Sequence, residues 1–390
     1  MEIVTCVAPV NIAAIKYWGK RDEDLILPLN DSISLTINSK FMRAKTTIAA
    51  SPKFEKDKIW LNGREESILN PRLETCLKEI RMRAEKSSNP QAKAMKGWKV
   101  HICSENNFPT AAGLASSSAG YACLVYALAR LFRLEGEDLS VIARRGSGSA
   151  CRSIHGGFVI WNKGTNNDGS DSFAEQIAPA SHWKDMRILI LVVNSDRKSV
   201  GSSKAMQRSV KTSDFLKNFK IDDRVAALRD SILKKDFERF AELTMRDSNR
   251  LHSVCLDTYP PVQYLTDTSH FIMQLVHHIN DFFGKAKVAY TFDAGPNACL
   301  FLLEDTVKMV LSLINYFLPP KLEKGDESYM KGEKIQPEEA PKTLLESIPL
   351  RPRAAGSLES IIYVDVGGGP EVLPEGEHLL NDIGFPLSIS

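Results

Sequence analysis

Asp293 is the residue whose setting most favours acid–base chemistry in this chain of 390 residues. It follows the strand-like segment 287–292 and precedes Gly295 and Pro296, which force the backbone to turn sharply. A carboxylate at the tip of a buried strand can accept a proton from a bound substrate, so Asp293 is a candidate catalytic base. The alternative is an Asx turn that caps the Gly-Pro corner, and the segment alone favours neither interpretation.

Two lysines near the amino terminus supply positive charge. Lys16 and Lys20 are spaced i, i+4, with Tyr17 and Trp18 between them. On a helix both ammonium groups would share a face, whereas a strand or loop leaves their relation open. Such pairs are commonly solvated surface groups. The charge-free apolar segment 7–15 favours a site instead, because it brings buried backbone up to Lys16.

Residues 108–120 are mostly small, and they run directly into the apolar, helix-like segment 121–129. The loop is therefore predicted to end at a helix N-terminus, where free backbone N–H groups and the helix dipole attract phosphate. The alternative is a Ser-capped helix after a small-residue turn, because the spacing matches neither a Walker A motif nor G-x-G-x-x-G.

A second Gly-Ser segment, residues 144–158, carries Arg152 between two pairs of glycines. A flexible backbone here would present the planar guanidinium to a carboxylate or phosphate through two parallel hydrogen bonds. Taken alone, a loop arginine is more often a surface residue. His155 is interpreted as structural, hydrogen-bonded to nearby backbone, and not as a proton-transfer group.

Composition restricts the partners of the protein. The formal charge of +2 provides no field that implies binding to nucleic acid or to an anionic membrane, so any phosphate site must be local. No apolar run reaches the roughly 18 residues of a membrane span, and the first residues lack a basic signal region. The seven cysteines form no CxxC pair and the eight histidines no HExxH motif. We therefore expect a cytoplasmic protein without a protein-built metal site.

The length of the chain predicts two domains with a cleft between them. Residues 1–185 mix strand-like and helical segments and contain the candidate phosphate loop 108–120. A continuous apolar strand opens residues 186–390, whose order of elements suggests a ferredoxin-like, split βαβ sandwich carrying Asp293. Residues 319–342 lack periodicity and are predicted to form a surface loop. The fold class is α+β.

Together these segments resemble the GHMP kinase superfamily over nearly the whole chain, and within it the diphosphomevalonate decarboxylase family. The resemblance is carried by residues 9–22, 107–117, 146–152 and 292–298. Superfamily kinases have glycine at the position of Ala115 and a catalytic Asp near the position of Ser149. This chain has no acid from residue 146 to residue 157, so the resemblance assigns the work of that acid to Asp293.

The resemblance implies a two-domain GHMP kinase fold with the active site in the cleft. The implied activity is ATP-dependent decarboxylation of (R)-5-diphosphomevalonate to isopentenyl diphosphate, with release of carbon dioxide, ADP and phosphate, in the mevalonate pathway of isoprenoid and sterol biosynthesis. Mg²⁺ would accompany ATP, and a homodimer is expected.

The resemblance also implies roles for individual residues. The residues that resemble the catalytic set are Asp293, Lys16 and Arg152. Of these, Asp293 is expected to act on the C3 hydroxyl. The residues that resemble the substrate-binding set are Tyr17, Trp18, Gly19, Lys20, Arg72, Ser147, Gly148, Ser149, Ala150, Cys151, Arg152 and Ser203. Those that resemble the nucleotide side are Asn11, Pro109, Ala112, Gly113, Leu114, Ala115, Ser116, Ser117 and Ser118.

Two other functions fit this fold. One is a small-molecule kinase that stops at the phosphorylated product, and the missing acid near Ser149 argues against it. The other is a non-catalytic ligand sensor. Such a protein need not keep Asp293, Lys16 and Arg152 together, whereas this chain has all three.

Overall fold

The computed structural model describes residues 1–108, 116–136, 138–194, 200–321 and 329–387. Its strands are β1 Glu2–Pro9, β2 Asn11–Ile15, β3 Lys20–Asp22, β4 Leu27–Pro28, β5 Ser32–Thr36, β6 Arg43–Ser51, β7 Lys58–Leu61, β8 Arg64–Glu66, β9 Lys99–Asn106, β10 Phe158–Trp161, β11 Ala174–Ala178, β12 Met186–Val192, β13 Val288–Phe292, β14 Ala298–Leu303, β15 Met330–Gly332, β16 Ser360–Asp365 and β17 Glu371–Val372. Its α-helices are α1 Pro71–Lys86, α2 Pro90–Met95, α3 Ser116–Leu131, α4 Leu139–Gly146, α5 Ser202–Thr212, α6 Asp214–Asn218, α7 Asp222–Lys234, α8 Phe237–Asp257, α9 Asp267–Phe283, α10 Glu304–Phe317 and α11 Lys342–Ser347. Short 3₁₀-helices span Gly148–Ile154, Ala180–Trp183 and Glu375–Glu377.

Within these ranges the strands form three larger sheets and one strand pair, β3 with β4. The first sheet has the order β17-β1-β6-β9-β7-β8, the second β11-β10-β5-β2, and the third β13-β14-β12-β16-β15. Neighbouring strands run antiparallel, except that β7 is parallel to β9 and β15 to β16. The mixture of helices and mainly antiparallel sheets confirms the α+β class.

Helix α3 packs against β1 and β6 of the first sheet. Most of its side chains are buried and many of these are small, which lets the helix approach the sheet closely. This confirms the buried helix predicted from the apolar segment 121–129. The helix begins at Ser116, within the small-residue segment 108–120.

The third sheet forms from the second half of the chain. The continuous apolar run of β12 lies between β14 and β16, which accounts for its near-complete burial. Helices α7 and α8 follow one another closely along the chain and are separated at Lys235 and Asp236. Lys235 adopts a left-handed conformation with φ of 56°, and the side chain of Asp236 then caps α8 by accepting from the N–H of Arg239.

Helix α8 packs against β2 of the second sheet and β13 of the third. Its buried face is mostly apolar, but Asp247, Ser248 and Arg250 are also buried on it. One helix thus contacts the ends of the two strands that lead to Lys16 and Asp293.

The last part of the chain returns to the first sheet, because β17 pairs with β1. A domain boundary near residue 185 stays a prediction, and β12 begins one residue later. The surface loop predicted over residues 319–342 is wrong in part, since β15 within it pairs with β16, while residues 322–328 lie outside the described residues. No helix in the described ranges is long and apolar enough to cross a bilayer.

Candidate active site

Lys16 and Asp293 meet at the ends of β2 and β13. Lys16 Nζ donates to Asp293 Oδ1 at 2.5 Å, and the lysine side chain is 2% exposed while the carboxylate is 32% exposed. Thr291 Oγ1 donates to the carbonyl of Ala13 at 3.3 Å and ties the two strands together. The pair is therefore reachable from solvent only on the side of the acid.

Lys16 and Lys20 do not share a helix face, because Lys16 follows one strand and Lys20 begins another. Lys20 Nζ donates to Glu23 Oε2 at 2.5 Å, and Lys20 is buried. Between them, Gly19 has φ of 91°, and a Cβ there would lie 2.6 Å from Leu29 Cδ1. The turn that separates the two lysines thus depends on glycine.

Residues of α8 and the β4–β5 connection, which the sequence did not single out, hold the backbone of Lys16. Its N–H donates to Asp247 Oδ2 at 2.6 Å. Its carbonyl accepts from Asn30 Nδ2 at 3.0 Å and from Arg250 Nη2 at 3.2 Å. One feature of the sequence could have revealed Asp247 and Ser248. They lie three and four residues after Thr244 on the buried face of α8, where an amphipathic helix normally places apolar residues.

Arg152 lies in the 3₁₀-helix Gly148–Ile154. The flexible loop predicted over residues 144–158 is therefore wrong, because α4, this 3₁₀-helix and β10 occupy most of it. Arg152 is buried, and burial lowers the pKa of its guanidinium. Its guanidinium is held by side chains of β2 and β5 instead of being presented by a mobile loop.

The hydrogen-bond partners of Arg152 are neutral oxygens. Nε donates to Ser34 Oγ at 2.9 Å and to Asn11 Oδ1 at 3.2 Å, and Nη1 donates to Ser32 Oγ at 2.5 Å. No carboxylate of the described residues forms an ion pair with this guanidinium. A buried cation held only by neutral groups favours an anionic ligand, which would supply the missing charge.

Asn11 belongs to the surroundings of Arg152. Its amide Nδ2 donates to Ser153 Oγ at 2.7 Å and to the carbonyl of Ser149 at 3.1 Å. The contact to nucleotide expected for Asn11 stays a prediction. The neighbouring Ala150 and Cys151 are fully buried, so their side chains pack beneath the 3₁₀-helix.

Tyr17 packs edge-on against Trp161, with ring centroids 4.7 Å apart. A Cβ on Gly148 would lie 2.7 Å from Tyr17 Cε1, so glycine permits this approach. Burial raises the pKa of Tyr17, and its hydroxyl has no hydrogen-bond partner among the residues that the structure describes. The phenol is therefore neutral, and a hydrogen bond from a ligand would satisfy its buried hydroxyl.

The side chain of Trp18 packs against α5. Its Nε1 donates to Ser209 Oγ at 3.0 Å, and its ring packs in a cluster that includes Met206 and Tyr264. A substrate contact of the Trp18 side chain stays a prediction, and in the structure this ring anchors α5.

Arg72 and Ser203 connect the two halves of the chain. Arg72 Nη2, on α1, donates to Ser203 Oγ, on α5, at 3.2 Å. The family resemblance implied that both residues bind the same ligand, and the structure brings them together. This places a cation and a hydroxyl at one location.

The predicted phosphate loop is shorter than expected, because residues 116–120 belong to α3. Ser117 Oγ lies 3.3 Å from Ser147 Oγ, so the N-terminus of α3 meets the start of the 3₁₀-helix that carries Arg152. Ser118 is buried. The other proposed nucleotide contacts lie outside the described residues, namely Pro109, Ala112, Gly113, Leu114 and Ala115.

Serine hydroxyls and the positive end of the helix dipole lie together at the N-terminus of α3, and both fit a phosphate. Among the described residues, no group of three or more His, Cys, Asp or Glu side chains is arranged to hold a metal ion. A magnesium ion would therefore be held mainly by phosphate oxygens and water, with a serine hydroxyl as a further ligand.

His252 is a buried histidine of α8 near the Lys16–Asp293 pair. Burial, and then the Lys16 ammonium, lower the pKa of His252 to about 4. Its Nε2 has no hydrogen-bond partner within the described ranges, and its ring lies edge-on to Phe292, with centroids 6.3 Å apart. Sequence reasoning missed this residue, which places a neutral imidazole close to the Lys16–Asp293 pair.

Comparisons with known proteins agree along the whole chain. Residues 8–174 match the model for the diphosphomevalonate decarboxylase-like N-terminal domain, and residues 188–373 match the mevalonate 5-diphosphate decarboxylase C-terminal domain. The chain is 50% identical to diphosphomevalonate decarboxylase of Danio rerio, covering 99% of this chain and 97% of the relative. The corresponding Homo sapiens protein is 49% identical, with 99% and 98% covered.

Solved structures are similar as well. The mevalonate diphosphate decarboxylase of Trypanosoma brucei aligns with a TM-score of 0.85 at 37% identity, covering 97% of this chain and all of that one. A structure described as MDDEF in complex with MVAPP, AMPPCP and magnesium aligns with a TM-score of 0.73 at 30% identity, covering 95% and 99%.

Proposed function

This chain belongs to the diphosphomevalonate decarboxylase family, and we propose from that premise how its site carries out the reaction. The protein is an ATP-dependent enzyme that converts (R)-5-diphosphomevalonate to isopentenyl diphosphate, with release of carbon dioxide, ADP and phosphate, in the mevalonate pathway. The C3 hydroxyl is phosphorylated before phosphate and carbon dioxide leave. The observation that carries the proposal is the contact between buried Lys16 and half-exposed Asp293, at the ends of two strands.

Asp293 acts on the C3 hydroxyl. A tertiary alcohol is far too weak an acid to ionise near neutral pH, so the carboxylate orients it and accepts its proton as the phosphoryl bond forms. Lys16 occupies Oδ1, which leaves Oδ2 to receive the proton. The ammonium also stabilises the charge that develops on the transferring phosphoryl group.

Arg152 orients the carboxylate of the substrate. Its hydrogen bonds to neutral oxygens use Nε and Nη1, so Nη2 is the nitrogen that reaches the ligand. When phosphate departs, C3 gains positive character, and loss of the carboxylate then forms the alkene. A fixed, planar guanidinium holds the carboxylate in the direction that this step requires.

The remaining groups bind the two phosphorylated substrates. We assign the diphosphate to Tyr17, Lys20, Arg72 and Ser203, which supply cations and hydroxyl donors. The nucleotide phosphates bind at the N-terminus of α3, with Ser117 close to Ser147 at the junction of the two subsites. We also propose that the protein acts in the cytoplasm as a homodimer, which sedimentation at twice the chain mass would support.

One experiment separates this function from its alternatives. The protein is incubated with ATP, Mg²⁺ and diphosphomevalonate labelled in its carboxyl group, and ADP and labelled gas are both measured. Equal yields of ADP and carbon dioxide are expected. ADP without gas would indicate a kinase that stops at the phosphorylated product, and binding without either product would indicate a ligand sensor.

A further inference from the structure

A single turn of α8 contacts the backbone on both sides of the catalytic pair. Asp247 accepts the N–H of Lys16, as described above. The next residue, Ser248, accepts the N–H of Phe292 through Oγ at 2.9 Å, and Phe292 directly precedes Asp293. Two adjacent side chains of one rigid helix therefore hold the two strand ends from which Lys16 and Asp293 project.

We infer that Asp247 and Ser248 are positioning residues that set the alignment of Lys16 with Asp293. This inference rests on the proposed function. Neither side chain belongs to the catalytic groups, because both are fully buried and act through backbone N–H groups. They hold in register a lysine and an aspartate that are 277 residues apart in sequence.

The local structure of β2 explains why a partner from α8 is needed. The register between β2 and β5 is irregular between Ala13 and Ile15, and the ladder ends at Ile15. The N–H of Lys16 is thus beyond the ladder and buried, where an unpaired donor would be costly. The carboxylate of Asp247 satisfies it with a charge-assisted hydrogen bond, which is stronger and more directional than one to a neutral group.

The charge of Asp247 is balanced within the same network. Oδ1 accepts from Arg250 Nε at 2.8 Å and from Arg224 Nη1 at 3.3 Å. Arg250 also donates to the carbonyl of Lys16. Asp247 and Arg250 thus hydrogen-bond to the backbone N–H and the backbone carbonyl of the same residue. Buried ion pairs contribute little net stability compared with apolar packing. We therefore explain the Asp247–Arg250 pair by its role in orienting Lys16.

The test compares Ser248→Ala with Ser248→Thr and with Ser253→Ala. Ser253 is exposed on the same helix, and its hydroxyl donates to the carbonyl of Asn249 four residues earlier. Misplacement of reacting groups by an ångström costs up to about a hundredfold in rate, so we expect kcat of Ser248→Ala to fall about tenfold with KM for both substrates nearly unchanged. Ser248→Thr, which keeps the hydroxyl, should restore most of kcat, and Ser253→Ala should match wild type.

Asp247→Asn provides a second perturbation, since it keeps the shape but removes the charge. We expect a loss of kcat at least as large as that of Ser248→Ala. If this variant fails to fold, as judged by circular dichroism, the Ser248 series alone decides. Unchanged kcat in folded Ser248→Ala, or a rise in KM without a fall in kcat, would overturn the inference.

A double variant separates positioning from general damage. In the background of Asp293→Asn there is no carboxylate to align, so adding Ser248→Ala should change residual kcat by less than about twofold. A further tenfold loss in that background would overturn the inference, because it would mean that Ser248 acts independently of Asp293. Failure of the wild-type enzyme to release carbon dioxide would instead refute the proposed function itself.

Discussion

His252 makes the stability of this enzyme depend on pH in a defined way. Burial and the nearby Lys16 ammonium lower the pKa of His252 from 6.5 to about 4, so its imidazole stays neutral in the folded protein until the solution is strongly acidic. In the unfolded chain the same group takes up a proton near its ordinary pKa. The unfolded state therefore binds more protons between these two values, and the free energy of unfolding falls as the pH falls.

The size of the effect follows from the two pKa values. Each pKa unit corresponds to about 1.4 kcal/mol, so full acidification through both values removes about 3 kcal/mol. Above the ordinary pKa the contribution is complete. By about pH 5 the loss is already about 2 kcal/mol, which is large compared with the total stability of a typical protein.

The assay is urea unfolding of wild type and His252→Asn at about pH 8 and about pH 5. Asparagine keeps a polar side chain at this position but does not titrate. The variant should be less stable at the higher pH because it leaves a cavity. On acidification it should lose about 2 kcal/mol less than wild type, because the titrating group is gone.

Val254→Ala is the matched control, because it opens a cavity in the same helix without removing a titratable group. It should lower stability by the same amount at both pH values. If His252→Asn and wild type show the same loss on acidification, His252 is not held neutral in the folded protein and the reasoning is wrong.

Further predictions concern the site itself. Asp293→Asn should bind both substrates, as measured by calorimetry, while kcat falls at least about a hundredfold, and near-normal turnover would remove the acid from its role. Arg72→Ala should raise KM for diphosphomevalonate much more than it lowers kcat in steady-state assays, and a pure kcat effect would contradict diphosphate binding. Arg152→Lys should lose at least about tenfold in kcat despite keeping its charge, since an ammonium cannot reproduce the hydrogen bonds of the planar guanidinium, and full activity would mean that charge alone suffices. Gly148→Ala should weaken substrate binding, because its methyl group displaces Tyr17, and an unchanged KM would show that the ring is not a substrate contact.

Local features of the chain were sufficient to predict the elements that carry the chemistry. The apolar run before Asp293 and the Gly-Pro pair after it predict a strand that ends at an acid, as β13 does. The small residues before an Ala- and Leu-rich segment predict a helix N-terminus, and α3 begins within the predicted loop. These predictions succeed because backbone propensity and apolar periodicity are properties of neighbouring residues.

Predictions that depended on flexibility were less accurate. Glycine and serine in residues 144–158 indicated a mobile loop, yet most of that segment is helical or strand because Arg152, Ala150 and Cys151 are buried against β2, β5 and β10. Burial of these side chains holds the backbone in a regular conformation. Glycine permits that conformation but does not require it.

The sequence alone thus indicated which residues are candidates for the chemistry, and it placed Asp293 after a strand and Ser116 to Ser118 near a helix N-terminus. Only the tertiary structure decided that Lys16 touches Asp293, that Arg152 has neutral partners, and that α8 holds both strand ends. These contacts join residues between 44 and 277 positions apart in sequence, and their distances are set by the packing of separate elements, including that of α8 on β2 and β13. No local propensity encodes that packing, because it depends on how the buried surfaces of separate elements fit together.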